Sequence, residues 1–156
     1  MALVLSRQNL PTLDRTRYAP ADGVRRGAYI LADPPGGKID MILIASGSEV
    51  DLITAAQQTL AEQGIAARIV SMPSWELFDA QPEDYRDEIL PPSIRARLAV
   101  EAGVSQGWWK YVGDRGGIVG IDQFGASAPS KVVFEKFGYT VDNIVAQAVN
   151  LVSKFR

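Results

Sequence analysis

The side chains of this sequence that could do chemistry are carboxylates, hydroxyls and arginines, because the chain contains no histidine and no cysteine. Their absence excludes nucleophilic triads and dyads built on histidine, and zinc sites with nitrogen and sulfur ligands. Glu101 and Asp122 both fall at the ends of predicted strands, where they could form an acid/base pair or a magnesium site. Since acidic residues are mostly exposed, solvated or helix-capping carboxylates are the favoured interpretation of this pair.

The turn Ser46-Gly47-Ser48 follows an apolar run and leads into a predicted helix. Free backbone N–H groups at such a helix start could bind an anion. The turn matches neither a dinucleotide-binding glycine motif nor a phosphate-binding loop with its lysine. Ser48 as the N-cap of the helix is therefore the favoured interpretation, and an anion site at Ser46, Gly47 and Ser48 is the alternative.

Arg7 and a group of aromatic residues are further candidates for ligand contacts. Arg7 follows the apolar segment Leu3-Val4-Leu5, and arginine is well suited to bidentate phosphate binding. From spacing alone, an exposed solvated charge is the favoured interpretation of Arg7. Trp108, Trp109 and Tyr111 could stack on a ligand, but packing on the sheet or in an interface is favoured for them.

Composition places the chain among single soluble domains. It has 156 residues, of which 47% are hydrophobic and 22% charged, and its formal net charge is -2. No basic run could follow a phosphate backbone, so nucleic acid is not an expected partner. No apolar stretch reaches the roughly 20 residues of a membrane span, and no secretory leader is evident, so we expect a cytoplasmic protein without membrane contact.

Short β-branched apolar runs alternate with helical patterns, which predicts an α/β fold. The expected architecture is a three-layer α/β/α sandwich around a mixed, mostly parallel five-stranded sheet. The link at 33–37 allows an antiparallel hairpin but not a parallel crossover, which makes the sheet mixed. The predicted strands are Ala28–Ala32, Ile39–Ala45, Ala67–Ser71, Arg97–Glu101 and Gly117–Ile121.

Helices are predicted between and after these strands. We expect Ser48 and Thr140 to be N-caps, and Gly64 to end the first helix. The predicted helical ranges are 48–63, 74–90 as one or two pieces broken at Pro82, 103–111, 129–137, and the segment after Thr140.

The N-terminal segment does not fit this alternation. Residues 2–6 read as the last strand of a preceding domain that is absent, and residues 11–26 are polar and interrupted by proline and glycine, as linkers are.

Several motifs, in this order along nearly the whole chain, resemble the C-terminal region of bacterial transketolase. They are LSRQNLP at 5–11, GAYIL at 27–31, IASGSEVDL at 44–52, ARIVSMPSWELFDAQ at 67–81, YRDEILPP at 85–92, VEAG at 100–103, WWKYVG at 108–113, FGASAP at 124–129 and FEKFGYTVDNIV at 134–145. Each motif alone is weak evidence, but the ordered set is highly specific.

The resemblance implies a function that the residues alone do not. Transketolases use thiamine diphosphate and a divalent metal, Mg or Ca, to transfer a two-carbon ketol unit between sugar phosphates in the pentose phosphate pathway. They are homodimers, and the arginine of their S-R-Q-N segment, here Arg7, contacts the terminal phosphate of the substrate. The chain lacks the family's thiamine-binding G-D-G motif. We therefore expect it to bind no cofactor or metal, to carry no catalytic residue, and to be inactive without the remaining transketolase domains.

The resemblance also implies domain boundaries. Residues 1–10 would end the preceding pyrimidine-binding domain, 11–26 would form a linker, and 27–156 would form the C-terminal α/β domain. Two other functions remain open for the isolated chain. One is a free-standing module that binds a nucleotide or other anion at 46–48 and 122–125, and the other is an interaction domain that uses Trp108, Trp109 and nearby apolar surface.

Overall fold

The computed structural model describes residues 5, 6 and 8–155. The strands are β1 Tyr29–Ala32, β2 Met41–Ala45, β3 Ala67–Ser71, β4 Arg97–Val100 and β5 Gly117–Val119. The α-helices are α1 Glu49–Glu62, α2 Trp75–Asp79, α3 Glu83–Ile89, α4 Trp109–Val112, α5 Ser130–Lys136 and α6 Val141–Ser153. Two 3-10 helices span Ala21–Arg26 and Gln106–Trp108.

The five strands form one sheet in the order β1-β3-β2-β4-β5. The pairs β2–β3, β2–β4 and β4–β5 are parallel, and β1 is antiparallel to β3. The predicted fold class, a mixed, mostly parallel five-stranded sheet, is confirmed. β1 and β2 do not form the hairpin that their short link allows, because both edges of β2 are already paired with parallel neighbours.

Helices cover both faces of this sheet, as the three-layer prediction requires. On one face Leu43 and Ile69 pack with residues of α1 and α6, including Ile53 and Ile144. On the other face Ile42, Ile44 and Val70 pack with residues of α2, α3, α4 and the second 3-10 helix, including Phe78 and Trp108. All five residues of β2 are buried, which explains its continuous apolar sequence.

Two of the predicted helix boundaries are confirmed in detail. The Thr140 hydroxyl accepts a hydrogen bond of 3.2 Å from the Asn143 amide at the start of α6. Gly64 has a φ of 72° after the last turn of α1, and the Ile65 amide donates to the Leu60 carbonyl. This is the left-handed C-terminal arrangement that favours glycine.

The segment predicted as a linker packs against the domain. Leu13 and Tyr18 are half-buried against the core on the α1 side, and the Ala19 amide donates to the Leu31 carbonyl at 2.9 Å. The domain boundaries after residues 10 and 26 stay predictions. Within residues 5, 6 and 8–155, no helix combines the length and the apolar character needed to cross a membrane.

Candidate functional site

The carboxyl ends of β2 and β4 meet where the sheet topology changes direction. The chain leaves β2 at Ser46 toward α1 on one face, and leaves β4 at Glu101 toward α4 on the other face. Loops that diverge in this way leave a crevice between them, which is the usual ligand position in open α/β sheets. Ser46 and Glu101 meet in this crevice, where the Ser46 hydroxyl donates to Glu101 Oε2 at 2.8 Å.

Ser48 lies where the sequence predicts it but does not cap the helix. Its backbone is already helical, and its hydroxyl makes no hydrogen bond to the backbone amides of the first turn. The hydroxyl instead donates to Glu49 Oε1 at 2.6 Å. Ser48 therefore occupies the predicted N-cap position but makes no capping hydrogen bond, because its backbone is helical rather than extended, as it is in residues whose side chains cap a first turn.

Glu49 is the functional candidate that sequence reasoning missed. Its side chain is buried, with 4% exposure, at the start of α1. Burial raises the pKa of the Glu49 carboxyl, against the opposing effect of the Ser48 hydroxyl. Burial likewise raises the pKa of Glu101, and the nearby charge of Glu49 raises it further. The sequence gives little warning of this, since an acidic residue in a first helical turn is ordinarily exposed.

We expect the buried Glu49 to make the stability of the fold depend on pH. The pKa of the Glu49 carboxyl in the folded protein lies above 4.5, the ordinary value for glutamate, so the folded state holds the proton more tightly than the unfolded state. The Glu49 contribution to stability is therefore complete below about pH 4.5 and is lost as pH rises through the folded pKa. Urea titrations measure the free energy of unfolding of Glu49→Gln and of the wild type. The variant's value minus the wild-type value should increase as pH rises from about 4.5 through the folded pKa of Glu49.

The exposed Glu62 near the end of α1 supplies the matched control. Glu62→Gln should give a difference from the wild type that does not change with pH. If the free energies of unfolding of Glu49→Gln and the wild type changed with pH in parallel, the proposed effect of Glu49 burial on stability would be contradicted.

Asp122 accepts its hydrogen bonds from Ser105 and makes none with Glu101, the other member of the predicted acid/base pair. Its carboxylate accepts hydrogen bonds from the Ser105 amide and hydroxyl, both at 2.8 Å. These two hydrogen bonds hold the pKa of Asp122 below its usual value, and the bond from the Ser105 amide has the larger effect. Among the residues that the structure describes, no three histidine, cysteine, aspartate or glutamate side chains cluster as metal ligands would. The charges of Glu101 and Glu49 repel each other, and Asp122 is an exposed carboxylate that accepts hydrogen bonds from Ser105.

The anion site predicted at Ser46, Gly47 and Ser48 receives no support from these contacts. Both hydroxyls donate to carboxylates, so neither is directed toward an anion. The negative charges of Glu49 and Glu101 also oppose anion binding at this turn. The site stays a prediction.

The aromatic residues separate into buried and exposed members. Trp108 and Tyr111 are buried, which confirms the packing interpretation for them, whereas Trp109 is 50% exposed. Trp75, which the sequence analysis did not single out, meets Trp108 edge-on, with ring centroids 5.1 Å apart and an interplanar angle of 88°. The Tyr111 hydroxyl donates to Asp79 at 3.2 Å.

Two of the pockets at this edge of the sheet adjoin the residues described above. One, of about 310 Å³, lies between the loops after β2 and β4 and is lined by Ser46, Glu101 and Trp75, among others. The other, of about 480 Å³, lies between the starts of α1 and α5 and is also lined by Gln8, Asn9 and Leu10. Arg7, the predicted phosphate ligand, lies outside the described residues, and so does most of the strand predicted at 2–6.

Comparisons with known proteins converge on one family. Residues 27–140 match the family model described as the transketolase-like TK C-terminal domain. The chain is 54% identical over 147 residues to the transketolase of Halalkalibacterium halodurans, covering 94% of this chain and 22% of that protein. It is 51% identical over 150 residues to transketolase 1 of Escherichia coli, covering 96% of this chain and 22% of that protein.

Solved structures agree with the sequence relatives. The transketolase of Pichia stipitis in complex with sedoheptulose-7-phosphate aligns with a TM-score of 0.84 at 34% identity, covering 96% of this chain and 21% of that one. The chain thus spans about a fifth of the length of the transketolases that it matches.

Proposed function

Because this chain belongs to the transketolase-like C-terminal domain family, we propose that it works as the C-terminal part of a transketolase. The complete enzyme would transfer a two-carbon ketol unit from a ketose phosphate to an aldose phosphate. The observation that carries this proposal is the match of 94% of the chain, at 54% identity, to a curated transketolase. The partners of the chain would be the remaining transketolase domains, in a cytoplasmic homodimer.

Thiamine diphosphate and its metal do not fit the strand-end loop at Ser46 and Ser48. A diphosphate needs N–H donors or cations, and its Mg or Ca needs a set of oxygen ligands. The strand-end hydroxyls of Ser46 and Ser48 instead donate to carboxylates. We therefore place the cofactor, the metal and the catalytic groups on the other domains of the enzyme, and we expect this chain to be inactive alone.

Arg7 is the residue of this chain that we propose to touch the substrate, by binding the terminal phosphate of the sugar. Its neighbours Gln8 to Leu10 line the pocket of about 480 Å³ at the starts of α1 and α5, on the strand-end side of the domain. The proposed division places residues 1–10 in the preceding domain, 11–26 in the linker and 27–156 in the C-terminal domain. The start of the family match at residue 27 supports the last boundary.

A chimera tests the proposed function. The region of the Halalkalibacterium halodurans transketolase that aligns with this chain is replaced by this chain, and ketol transfer is measured with thiamine diphosphate, magnesium and a ketose phosphate donor. We expect activity in the chimera and none in this chain alone. A correctly assembled chimera without ketol transfer would refute the proposal.

Within that chimera, Arg7→Ala should raise the Michaelis constant for a phosphorylated donor roughly ten- to a hundredfold, because a hydrogen-bonded charged contact contributes about 1.5–3 kcal/mol. A donor that lacks the phosphate should show no such change, and cofactor binding should be spared. Arg25→Ala, which changes an exposed arginine in the 3-10 helix, is the matched control. Equal effects on the two donors would contradict the role of Arg7.

A further inference from the structure

The pocket of about 310 Å³ between the loops after β2 and β4, here the strand-end pocket, lies at the point where the sheet topology changes direction. Its walls include Ser46, Trp75, Glu76, Glu101, Val104 and Trp108. Its volume is near the lower end of the range for ligand pockets, about 300–1,000 Å³, which suits a ligand of a few heavy atoms. The proposed transketolase function does not use this pocket.

The carboxylate of Glu101 has acceptor capacity left for a ligand. Its Oε2 accepts the hydrogen bond from Ser46, at 2.8 Å. Its Oε1 accepts no hydrogen bond from the described residues, and it lies beside Gly103, 3.8 Å from the position that a Cβ on that glycine would take. Gly103 also lines the pocket. The free oxygen therefore borders the pocket, where a donor group could reach it.

The charge of the pocket wall has one sign. Glu76 contributes a second carboxylate beside Glu101, and the described residues that line the pocket include no lysine or arginine. The buried Glu49 adds negative charge close behind Glu101. A cleft lined by charges of one sign concentrates ligands of the opposite sign.

Two aromatic rings, those of Trp75 and Trp108, also line the pocket and are held in place by packing. Trp108 is 2% exposed, and Trp75 packs edge-on against it. The Trp75 ring also lies against Gly107, where a Cβ would be 2.2 Å from the ring, so the packing requires glycine at that position. Aromatic rings held in place beside a carboxylate attract organic cations, because the ring face carries partial negative charge.

From these observations we propose that the strand-end pocket binds a small organic cation, an ammonium or guanidinium compound. Its cationic group would donate to Glu101 Oε1, and its carbon atoms would pack against the half-buried ring of Trp75. Propionate and inorganic phosphate would be excluded by the carboxylates.

The test is a titration of this chain with putrescine and with methylguanidine, followed by tryptophan fluorescence and calorimetry. Trp75 and Trp108 line the pocket, so their emission should report occupancy directly. We expect saturable binding of at least one cation and none of propionate. Glu101→Gln should weaken binding about tenfold or more, because it removes a charge-assisted contact. Glu62→Gln, at an exposed position of α1, should leave binding unchanged.

A second variant keeps the test decisive if Glu101→Gln does not fold. Val104 is 60% exposed and lines the pocket, so Val104→Lys would place a cation at the pocket and should block binding. Val149→Lys, on α6, is its control. Absence of cation binding at millimolar concentration, equal binding of propionate, or binding unaffected by the Glu101 and Val104 substitutions would overturn the proposal. None of these readouts involves ketol transfer, so failure of the proposed function would leave this result unaffected.

Discussion

Arg97→Met is expected to lower the free energy of unfolding by about 3–5 kcal/mol, because hydrogen bonds from a charged group contribute about 1.5–3 kcal/mol each and buried acceptors without partners add a penalty. Arg97 begins β4, and its guanidinium donates to four backbone carbonyls at 2.8–2.9 Å. These carbonyls belong to Leu90, Pro91, Ile94 and Tyr111. The Arg97 side chain thus joins the loop after α3 to α4 at the start of β4.

Burial of the Arg97 side chain also affects its pKa. It lowers the pKa of the Arg97 guanidinium, and the charge of Asp87 acts in the opposite direction. Methionine keeps the apolar stem of arginine but has no N–H donors. The decrease in the free energy of unfolding therefore reports the contribution of the four hydrogen bonds.

Urea unfolding of three variants checks this expectation. Arg97→Lys, which keeps a charge and part of the donors, should recover a fraction of the loss. Arg95→Met removes a pair between two exposed side chains, Arg95 and Asp114, and should cost less than about 1 kcal/mol. A loss for Arg97→Met no larger than that for Arg95→Met would show that the four carbonyl contacts contribute nothing.

Gly27→Ala is expected to be at least as damaging, with a loss of more than about 4 kcal/mol or failure to fold, because backbone strain and overpacking act together. Gly27 has a φ of 83° and lies between the first 3-10 helix and β1. A Cβ there would be 2.2 Å from the Phe78 amide nitrogen and 2.3 Å from the Ser74 carbonyl oxygen. Both atoms are backbone atoms of the α2 region, so they cannot yield without moving the helix.

Gly37→Ala separates the two causes. Gly37 has a φ of 75°, close to that of Gly27, but no atom lies within 4 Å of its Cβ position. Alanine there should cost only about 1–2 kcal/mol, the strain of the left-handed backbone. Thermal unfolding of both variants gives the comparison, and equal losses would show that the close approach of α2 to Gly27 is unimportant.

The helices and strands were largely predictable because their signals are local. The alternation of β-branched runs with helical spacing placed all five strands within a few residues of their observed bounds. Thr140 and Gly64 act as predicted, because a cap or a stop depends on partners only three to five residues away. Ser48 occupies the predicted N-cap position but makes no capping hydrogen bond, and its hydroxyl donates to the buried Glu49, whose burial no local pattern signals.

The candidate site was predictable only in part. The strand pattern predicted that Ser46 and Glu101 follow β2 and β4, and in the structure the two side chains meet at that edge of the sheet. The hydrogen bond between Ser46 and Glu101 spans 55 positions of sequence, and the charge repulsion between Glu101 and Glu49 also acts between residues far apart in the chain. The packing of Trp75 against Gly107 leaves no local signal in the sequence, because the two residues meet only in the folded structure.

The amino-acid sequence by itself determined the fold class, the order of the elements and, through the ordered motifs, membership of a family. Each of these depends on residues that are near one another in the chain or on a pattern read along it. Only the tertiary structure decided that β1 lies beside β3, that Arg97 joins four carbonyls, and that the strand-end pocket is lined by carboxylates and tryptophans. These features depend on which strand edges and faces remain open once the sheet has assembled, and many residues separate the groups that meet there.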